Sequence, residues 1–549
     1  MKYQGFSLTY VADGITKTVA ASDNTVKVTA ARSADGFELK LNTSKPIYIK
    51  EIAALFTQDF SKDTVFWANG FQSWTDTREY AITDKMRDRG FLARTAPSSG
   101  LSRSGDYDFS KYKKKRGWVH AVSYAYVRNG DNYRVIGSLN ENAGYTFIYA
   151  DMKAGTVRVE KDFEGVLISG EKTAVSLYII DGAYENVFDR YFDKLGVKPM
   201  TDKALKGYTS WYNHYQSISD KIILNDLTAL TAATKQINTF QIDDGYQTAV
   251  GDWLSINAEK FPNGMKPMAD AITSYGLKPG IWLAPYVTQQ SSKLIKEHPD
   301  WILRYDDGKG KMCRLGGNWG GYYALDFYNP EVRTYIKNVF NTVLNIWGFK
   351  LVKLDFLFGA AIIPQHGKSR AEVMHEAMDF IRECVGENQI LGCGVPLFPC
   401  FNKVEYMRIG SDMGLSWKSN FYQKHLTHRE DVSTVHALHN SLTRRHLNGR
   451  AFLNDPDVFL LRDYHLNFSM TQKTILGKVI KMTGGVLFTS DDVSRYSPEQ
   501  KEVFDFILSD EKWTVKNVTF KNGVYTVDYA DGSGKADTLR FNVFTGEIL

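Results

Sequence analysis

From about residue 205 the chain alternates short apolar runs with longer helical patterns, and this alternation constrains the fold more than any other feature. The runs, in chain order, are GYTSWY, NTFQIDDG, LKPGIWLAP, FKLVKLDF, QILGCG, EYMRIGSD, AFLNDPD and GVLFTSDD. Helical patterns lie between them, for example at 222–236, 264–275, 329–347 and 370–386. Because strands that alternate with helices form a parallel sheet, the eight runs predict a (β/α)₈ TIM barrel.

The regions on either side of the barrel have a different pattern. Short alternating stretches such as TVKVTAA and TVRVEKD, separated by Gly, Asn and Asp, are typical of a β-sandwich. After about residue 500 a helical pattern precedes a second β-rich stretch. We therefore predict a multidomain chain with an N-terminal β-sandwich over 1–196, a linker over 197–205, the barrel over 206–497 and a small antiparallel β domain over 498–549.

Composition and charge limit the possible partners and the expected location of the protein. A net charge of +5 on 549 residues is close to balanced, which argues against nucleic acid and anionic membranes as partners. The sequence contains no run of 18 apolar residues, and its start, MKYQGFSLTYVADG, has no apolar signal-peptide core. The four cysteines have irregular spacing, which predicts neither a disulfide framework nor a zinc site. We expect a cytoplasmic protein.

Polar and aromatic residues collect where the predicted barrel strands end, which is where TIM barrels place their functional groups. These residues are Trp211, Asp243, Asp244, Trp282, Asp355, Cys393, Asp412, Asp455 and Asp457. Carboxylates dominate, and the sequence lacks a phosphate-binding glycine motif after a strand. The pattern favours carbohydrate chemistry, in which two carboxyl groups flank the anomeric carbon of a sugar.

The first candidate carboxylate lies in KLVKLDFLFG, residues 350–359. Lys353 and Asp355 are two residues apart in an apolar strand, so their side chains share one face. Asp355 could act as a nucleophile that Lys353 keeps ionised, since a nearby cation lowers a carboxyl pKa. A purely structural Lys–Asp pair inside the barrel is the alternative.

The second candidate carboxylate is Asp412, which follows Arg408 by four residues at another strand end. Asp412 could give a proton to the leaving oxygen, and Arg408 could hold a hydroxyl or a carboxylate. A loop salt bridge or a helix N-cap is the alternative. At Asp243 and Asp244 a turn or cap competes with a role in the cavity, and at Trp282 ordinary packing competes with a sugar platform.

Two other motifs carry weaker signals. HLTHRED (425–431) and HALHN (436–440) place histidines three residues apart, as a metal site could, but without the accompanying carboxylate or cysteine pattern. We predict no metal there. GGNWGG (316–321) does not have the spacing of a nucleotide-binding loop, and we predict a flexible loop over the cleft.

Taken together, the motifs resemble those of glycoside hydrolase family 36, the melibiase-like α-galactosidases, in their shorter bacterial or archaeal form. The matching segments, in the family's order, are NGFQSW (69–74), FQIDDGYQ, GIWLAP, YALDFYNPEV (323–332), LVKLDF, RIGSD and NDPDV (454–458). The chain departs from many longer members, which have KWD in place of KLD and an SDN-type motif in place of RIGSD.

The resemblance implies a retaining, exo-acting α-galactosidase that hydrolyses terminal α-D-galactosyl residues of melibiose- and raffinose-type oligosaccharides by double displacement. Asp355 would be the nucleophile and Asp412 the general acid/base. The residues implied to bind substrate are Asp243, Asp244, Lys353, Arg408, Trp282, Cys393, Trp74 and, as the loosest match, Trp211. Trp74 would reach over the barrel mouth from the same or a neighbouring subunit. The resemblance implies no metal and no cofactor.

Three alternatives remain open at this point. An α-N-acetylgalactosaminidase or a galactosyl-transferring enzyme would use the same scaffold and the same residues. A non-catalytic sugar-binding protein would have a barrel without activity. A metal-dependent hydrolase would use the histidine pattern. The expected partner is an α-galactoside oligosaccharide, and assembly into a homo-oligomer is left open.

Overall fold

The computed structural model of the protein describes residues 1–89, 100, 102–306, 308–417 and 428–549. In the first part of these residues, twelve strands form one antiparallel sheet. They are β1 (Lys2–Ala12), β2 (Ile15–Val19), β3 (Val26–Arg32), β4 (Gly36–Thr57), β5 (Val65–Ala68), β6 (Arg78–Ala81), β7 (Trp118–Val122), β8 (Tyr124–Asn129), β9 (Asn132–Ser138), β10 (Thr146–Asp151), β11 (Thr156–Lys161) and β12 (Leu167–Gly182).

The two longest strands, β4 and β12, pair with each other in the middle of this sheet. Alternate side chains of β4 are buried, beginning with Phe37, Leu39 and Leu41, and they belong to an apolar core separate from that of the barrel. Such alternation is typical of an antiparallel sheet with one covered face. The antiparallel strands predicted for this region are confirmed, while the division into sandwich layers and the domain boundaries stay predictions.

The central part of the chain contains strands β13 to β24. They are β13 (Leu205–Thr209), β14 (Thr239–Ile242), β15 (Lys278–Leu283), β16 (Val287–Gln289), β17 (Arg314–Gly316), β18 (Tyr322–Ala324), β19 (Leu351–Leu354), β20 (Gln389–Gly392), β21 (Tyr406–Arg408), β22 (Leu453–Asp455), β23 (Val458–Phe459) and β24 (Val486–Thr489). Strands β16, β17 and β18 form a small antiparallel sheet, and the other nine form a parallel sheet. Each of the eight runs predicted as strands contributes to the parallel sheet.

This parallel sheet closes on itself. Its hydrogen-bonded order begins at β22, passes through β21, β20, β19, β15, β14, β13 and β24, and ends at β23. Only Pro456 and Asp457 separate β22 from β23 along the chain, so both ends of the sheet belong to one segment. The result is a TIM-barrel-like sheet, as the alternation of strands and helices predicts.

Helices connect and cover the strands. They are α1 (Tyr184–Leu195), α2 (Trp211–His214), α3 (Asp220–Ala233), α4 (Lys266–Ser274), α5 (Lys293–Glu297), α6 (Pro330–Asn341), α7 (Arg370–Val385), α8 (Thr434–Thr443), α9 (Met470–Thr483) and α10 (Pro498–Leu508). A π-helical turn, Thr342–Ile346, continues α6. The four helical patterns quoted from the sequence correspond to α3, α4, α6 and α7. Sequence-local signals set some of their ends; for example, Ser369 and Glu372 form a capping box at the start of α7.

The last strands form a separate antiparallel sheet, as the sequence predicts. They are β25 (Thr514–Lys521), β26 (Val524–Ala530), β27 (Ala536–Asn542) and β28 (Glu547–Ile548). This sheet contacts helix α8 through a hydrogen bond of 2.6 Å between the Tyr525 hydroxyl and His439 Nδ1. Across the described ranges, none of the helices combines the length and apolar character needed to cross a bilayer.

Two polar side chains in the α8 region fasten the N-terminal sheet to the barrel. The fully buried guanidinium of Arg444 donates to oxygens of residues 69–73 and to the carbonyl of Ile409, at 2.8–3.3 Å. Asn440 Nδ2 donates to the carbonyls of Thr75 and Ile409, at 3.0 and 2.9 Å. Burial lowers the pKa of Arg444 to about 9. These contacts join the NGFQSW segment to the end of a barrel strand.

Replacing Arg444 with Met tests this fastening. The substitution Arg444→Met leaves several buried carbonyl oxygens without their donor, so we expect a loss of about 3–5 kcal/mol in unfolding free energy. The measurement is the midpoint of thermal unfolding. The matched control is Arg445→Met, because the Arg445 guanidinium lies over the Tyr184 ring at 3.8 Å and does not hold residues 69–73. Equal losses in both variants would contradict a special role for Arg444.

Candidate active site

A cavity of about 660 Å³ opens where the parallel strands end. Its lining includes eight of the ten side chains predicted to catalyse or bind: Trp74, Trp211, Asp243, Asp244, Trp282, Lys353, Asp355 and Asp412. The other two, Cys393 and Arg408, are buried and make contacts to lining residues. The strand-end residues that are dispersed along the sequence are therefore brought together around one space.

Asp355 follows β19 and is only 9% exposed. Its Oδ2 accepts a hydrogen bond from Trp282 Nε1 at 3.2 Å, and its Oδ1 accepts one from the backbone N–H of Phe356 at 2.9 Å. The side chain of Cys393 lowers the pKa of this carboxyl. Burial raises the pKa of Asp355 above its ordinary value; the charge of Lys353 opposes the rise and that of Asp412 adds to it. Asp355 is thus a fixed carboxyl group facing the cavity.

Lys353 has a different direct partner from the one the sequence suggested. Its Nζ donates to Asp243 Oδ2 at 2.8 Å, across the barrel from β19 to the end of β14. Burial disfavours the charged lysine, yet the Asp243 carboxylate beside it raises the pKa of Lys353 well above its ordinary value. The expected effect on Asp355 survives as a longer-range one, since Lys353 still lowers the pKa of that carboxyl. The reason is geometric: Lys353 and Asp355 point the same way from one strand face, while the end of β14, two strands away in the sheet, supplies the closer oxygen.

The paired aspartates after β14 both line the cavity. Asp243 accepts hydrogen bonds from Lys353 and from Gln241 Nε2, each at 2.8 Å. Asp244 Oδ2 accepts from Gln216 Nε2 at 2.8 Å and from Trp319 Nε1 at 3.0 Å. Burial raises the pKa of Asp244. The two carboxyl groups therefore form an acidic, preorganised wall of the cavity.

Arg408 is engaged by three carboxylates at once. Its Nη1 lies 2.8 Å from Asp412 Oδ1, its Nε 2.9 Å from Asp455 Oδ2, and its Nη2 2.8 Å from Asp457 Oδ1. The salt bridge that the sequence offered as an alternative at this position therefore exists. We call Arg408 with Asp455 and Asp457 the arginine brace. Because its guanidinium is fully engaged, the brace acts on the cavity through Asp412, whose side chain is 37% exposed.

Asp457 holds Asp412 from a second direction. It lies at the break between β22 and β23 with φ 81°, an uncommon value for a residue other than glycine. Its Oδ2 accepts a hydrogen bond from the backbone N–H of Met413 at 2.7 Å and another from the Tyr212 hydroxyl. Burial raises the pKa of Asp457, and the charge of Arg408 opposes that rise. Asp412 is thereby restrained through both its side chain and the residue that follows it.

Trp74 reaches the cavity from the N-terminal sheet of the same chain. Its Nε1 donates to Cys393 Sγ at 3.3 Å, and its ring packs edge-on against Phe356 with 5.1 Å between centroids. Burial raises the pKa of the Cys393 thiol well above its ordinary value. The predicted position of Trp74 over the barrel mouth needs no neighbouring subunit, since the residue already lines the cavity from within its own chain.

Several lining residues were not singled out from the sequence, among them Tyr215, Trp319, Tyr322 and Phe356. The Trp319 ring lies between Trp282 and Phe356, with centroids 6.2 and 5.0 Å away. The GGNWGG loop thus lines the cleft, as expected of its position. The sequence signal that could have identified Trp319 is a tryptophan in a glycine-rich segment. Tyr215 has no such signal beyond its closeness to Trp211 in the sequence.

Among their described residues, the histidine motifs contribute no assembled ligand set. His428 lines the cavity and lies 3.1 Å from Glu430 and 3.3 Å from Asp431. His439 contacts the C-terminal sheet, and His425 lies outside the described residues. In the part of the chain that the structure covers, no group of three or more His, Cys, Asp or Glu side chains is arranged to hold a metal ion.

Comparisons with known proteins identify similar sequences and structures. Residues 208–382 match the Melibiase family model. The chain is 24% identical over 335 residues to alpha-galactosidase AgaA of Geobacillus stearothermophilus, a match that covers 52% of this chain and 45% of AgaA. It is 26% identical over 309 residues to alpha-galactosidase Mel36A of Lactobacillus acidophilus, covering 52% of this chain and 35% of that protein. The matched part thus spans less than half of either curated relative.

The structural match extends further along the chain. TtGalA, an alpha-galactosidase from Thermus thermophilus solved in complex with stachyose, superposes with a TM-score of 0.71 at 25% identity, over 92% of this chain and 99% of that one. The resemblance expected from the motifs is confirmed. The chain carries a melibiase-family domain over residues 208–382, and its relatives include the alpha-galactosidase AgaA of glycoside hydrolase family 36.

Proposed function

We propose that this protein is a retaining, exo-acting α-galactosidase that hydrolyses terminal α-D-galactosyl residues of galacto-oligosaccharides. The observation that carries the proposal is the contrast between two carboxyl groups on one cavity. Asp355 is buried and fixed by Trp282 and a backbone N–H, while Asp412 is partly exposed and restrained by the arginine brace. A retaining glycosidase needs such a pair, one fixed nucleophile and one group that exchanges protons.

The chemistry follows from these two environments. Asp355 attacks the anomeric carbon while Asp412 gives its proton to the glycosidic oxygen, so a bond forms to Asp355 as the bond to the leaving sugar breaks. Asp412, now a carboxylate, takes a proton from water, which attacks the same carbon and releases Asp355. Partial exposure of Asp412 suits this exchange with water, and the brace keeps its carboxyl in place during both steps.

The remaining lining side chains support recognition of one sugar unit. Asp243, Asp244 and Lys353 offer acceptors and a donor for hydroxyl groups at the deep end of the cavity, while Trp282 and Trp319 supply flat apolar surfaces. Stacking on aromatic rings together with hydrogen bonds from buried charged groups suits a galactosyl unit. A wall made of Asp243 and Asp244, both at most 2% exposed, supports removal of terminal units. A cytoplasmic location and a homo-oligomer stay predictions.

Removal of the two carboxyl groups tests the roles of Asp355 and Asp412. We expect hydrolysis of p-nitrophenyl α-D-galactoside by the wild type and a fall in kcat of about three orders of magnitude or more in Asp355→Ala. Added azide should restore turnover in that variant with β-galactosyl azide as product. In Asp412→Ala, azide should instead give α-galactosyl azide, because the covalent intermediate still forms.

The control for these variants is Asp270→Ala, which removes an exposed carboxylate paired with Lys266 and should retain full activity. Full activity of Asp355→Ala would show that the site is wrong. A wild type that prefers the N-acetylated analogue of the substrate would keep the site and change the sugar assignment.

The raised pKa of Asp355 predicts the acidic side of the pH profile. A nucleophile must be ionised, and burial raises the pKa of Asp355 above 3.8, so kcat/KM should fall with decreasing pH through a value above 3.8. Because Lys353 lowers that pKa, Lys353→Met should move the acidic limb to still higher pH. If the acidic limb of kcat/KM moved to lower pH in this variant, the charge of Lys353 could not be what lowers the pKa of Asp355.

The arginine brace predicts that Asp412 depends on its support. Asp457→Asn weakens the ion pair that holds Arg408 beside Asp412, and Tyr212→Phe removes the hydroxyl donor to Asp457. We expect both variants to lower kcat for p-nitrophenyl α-D-galactoside, because each loosens the position of Asp412. An unchanged kcat in both variants would show that Asp412 does not need the brace.

A further inference from the structure

The chain makes a sharp and strained turn directly after α2. The backbone N–H of Ser217 donates to the carbonyl of His214 at 2.9 Å, which closes a four-residue turn with Tyr215 at its first central position. Tyr215 has φ 47° and ψ −132°. These angles are those of a type II′ turn, in which glycine normally takes this position because a side chain is strained there. Strained backbone of this kind clusters at functional sites, so Tyr215 is a candidate for a functional role.

The ring of Tyr215 lies at the rim of the cavity. It is 44% exposed, it belongs to the cavity lining, and it packs edge-on against Trp211 with 5.1 Å between centroids. Burial raises the pKa of its hydroxyl, the charge of Arg462 opposes the rise and that of Asp412 adds to it. Tyr215 and Asp412 therefore line the same cavity, with the tyrosine ring at its exposed rim.

The segment that carries Tyr215 is firmly held. Gln216 donates through Nε2 to Asp244 at 2.8 Å, and its carbonyl accepts from Lys260 Nζ at 2.7 Å. The backbone of Gly245 approaches so closely that a side chain there would come within 2.7 Å of the Gln216 carbonyl oxygen. An exposed ring on a segment pinned in this way is preorganised for a ligand.

We propose that Tyr215 is the stacking platform for the leaving unit of the substrate, a neutral hexose attached to the anomeric carbon of galactose. The inference rests on the proposed function and extends it from the galactose to the aglycone. Sugar rings stack their apolar C–H faces on aromatic rings, and the rim next to Asp412 is where the leaving sugar must lie. The hydroxyl group of the tyrosine is not required for this role.

The test compares a substrate with a sugar aglycone and one without. Melibiose carries a glucose unit that would reach Tyr215, whereas α-galactosyl fluoride has a leaving group too small to do so. We expect Tyr215→Gly to lower kcat/KM for melibiose about tenfold and to change that for α-galactosyl fluoride less than twofold. Tyr215→Phe keeps the ring and should stay within twofold of the wild type on both.

A second readout separates binding from structure. Because glycine suits the type II′ position, Tyr215→Gly should unfold at the same or a higher temperature than the wild type. The matched control is Tyr275→Gly, since Tyr275 is 48% exposed, follows a helix like Tyr215 and lies outside the cavity lining. It should leave the ratio of the two substrates unchanged.

The outcomes are distinguishable. An equal loss on both substrates, or no loss on either, in Tyr215→Gly would overturn the platform while leaving the α-galactosidase proposal intact. A loss in Tyr215→Phe as large as that in Tyr215→Gly would overturn stacking in favour of the hydroxyl group. A wild type that cleaves neither substrate would remove the proposed function and the platform with it.

Discussion

The buried guanidinium of Arg444 is the contact on which the rest of the site depends. It holds residues 69–73 against the end of a barrel strand, and Trp74 follows directly. Trp74 donates a hydrogen bond to Cys393, and the Cys393 side chain lowers the pKa of Asp355, so a residue of the N-terminal region reaches the environment of the candidate nucleophile. A buried cation is costly unless it is fully hydrogen-bonded, and here carbonyl oxygens from two parts of the chain satisfy it. The protein thus buries a charged side chain, at a cost in stability, to fix the contact between the N-terminal sheet and the barrel.

Two cations organise the carboxylates of the cavity in different ways. Lys353 is bonded to Asp243 and acts on Asp355 only through its field. Arg408 contacts Asp412 directly and shares its charge with two further carboxylates. One carboxyl group is therefore buried and free of a direct ion pair with lysine, and the other is partly exposed and held by arginine. Both acids are aspartates, so the difference between their environments comes from where the nearby cation lies.

The sequence predicts the parallel strands and the set of residues at their ends, because strand periodicity and the barrel rule depend only on local pattern. It could not show which oxygen Lys353 would choose, since that depends on the spacing between β14 and β19. It also could not show that Arg408 binds three carboxylates, because Asp455 and Asp457 come from a strand some 50 residues later. The sequence also did not identify Tyr215 as a cavity residue, because a strained turn is visible only in the backbone angles.

Closure of the barrel and restraint of Asp412 involve the same short segment. Asp457 lies between the two strand fragments that bring the ends of the parallel sheet together, and it also bonds the residue after Asp412. During synthesis the ribosome delivers Asp355 and Asp412 well before this segment emerges. A nascent chain that already contains both candidate carboxyl groups therefore still lacks the contact that orders Asp412. On the proposed mechanism, a chain that ends before Asp457 would hold both carboxyl groups without the geometry that the reaction needs.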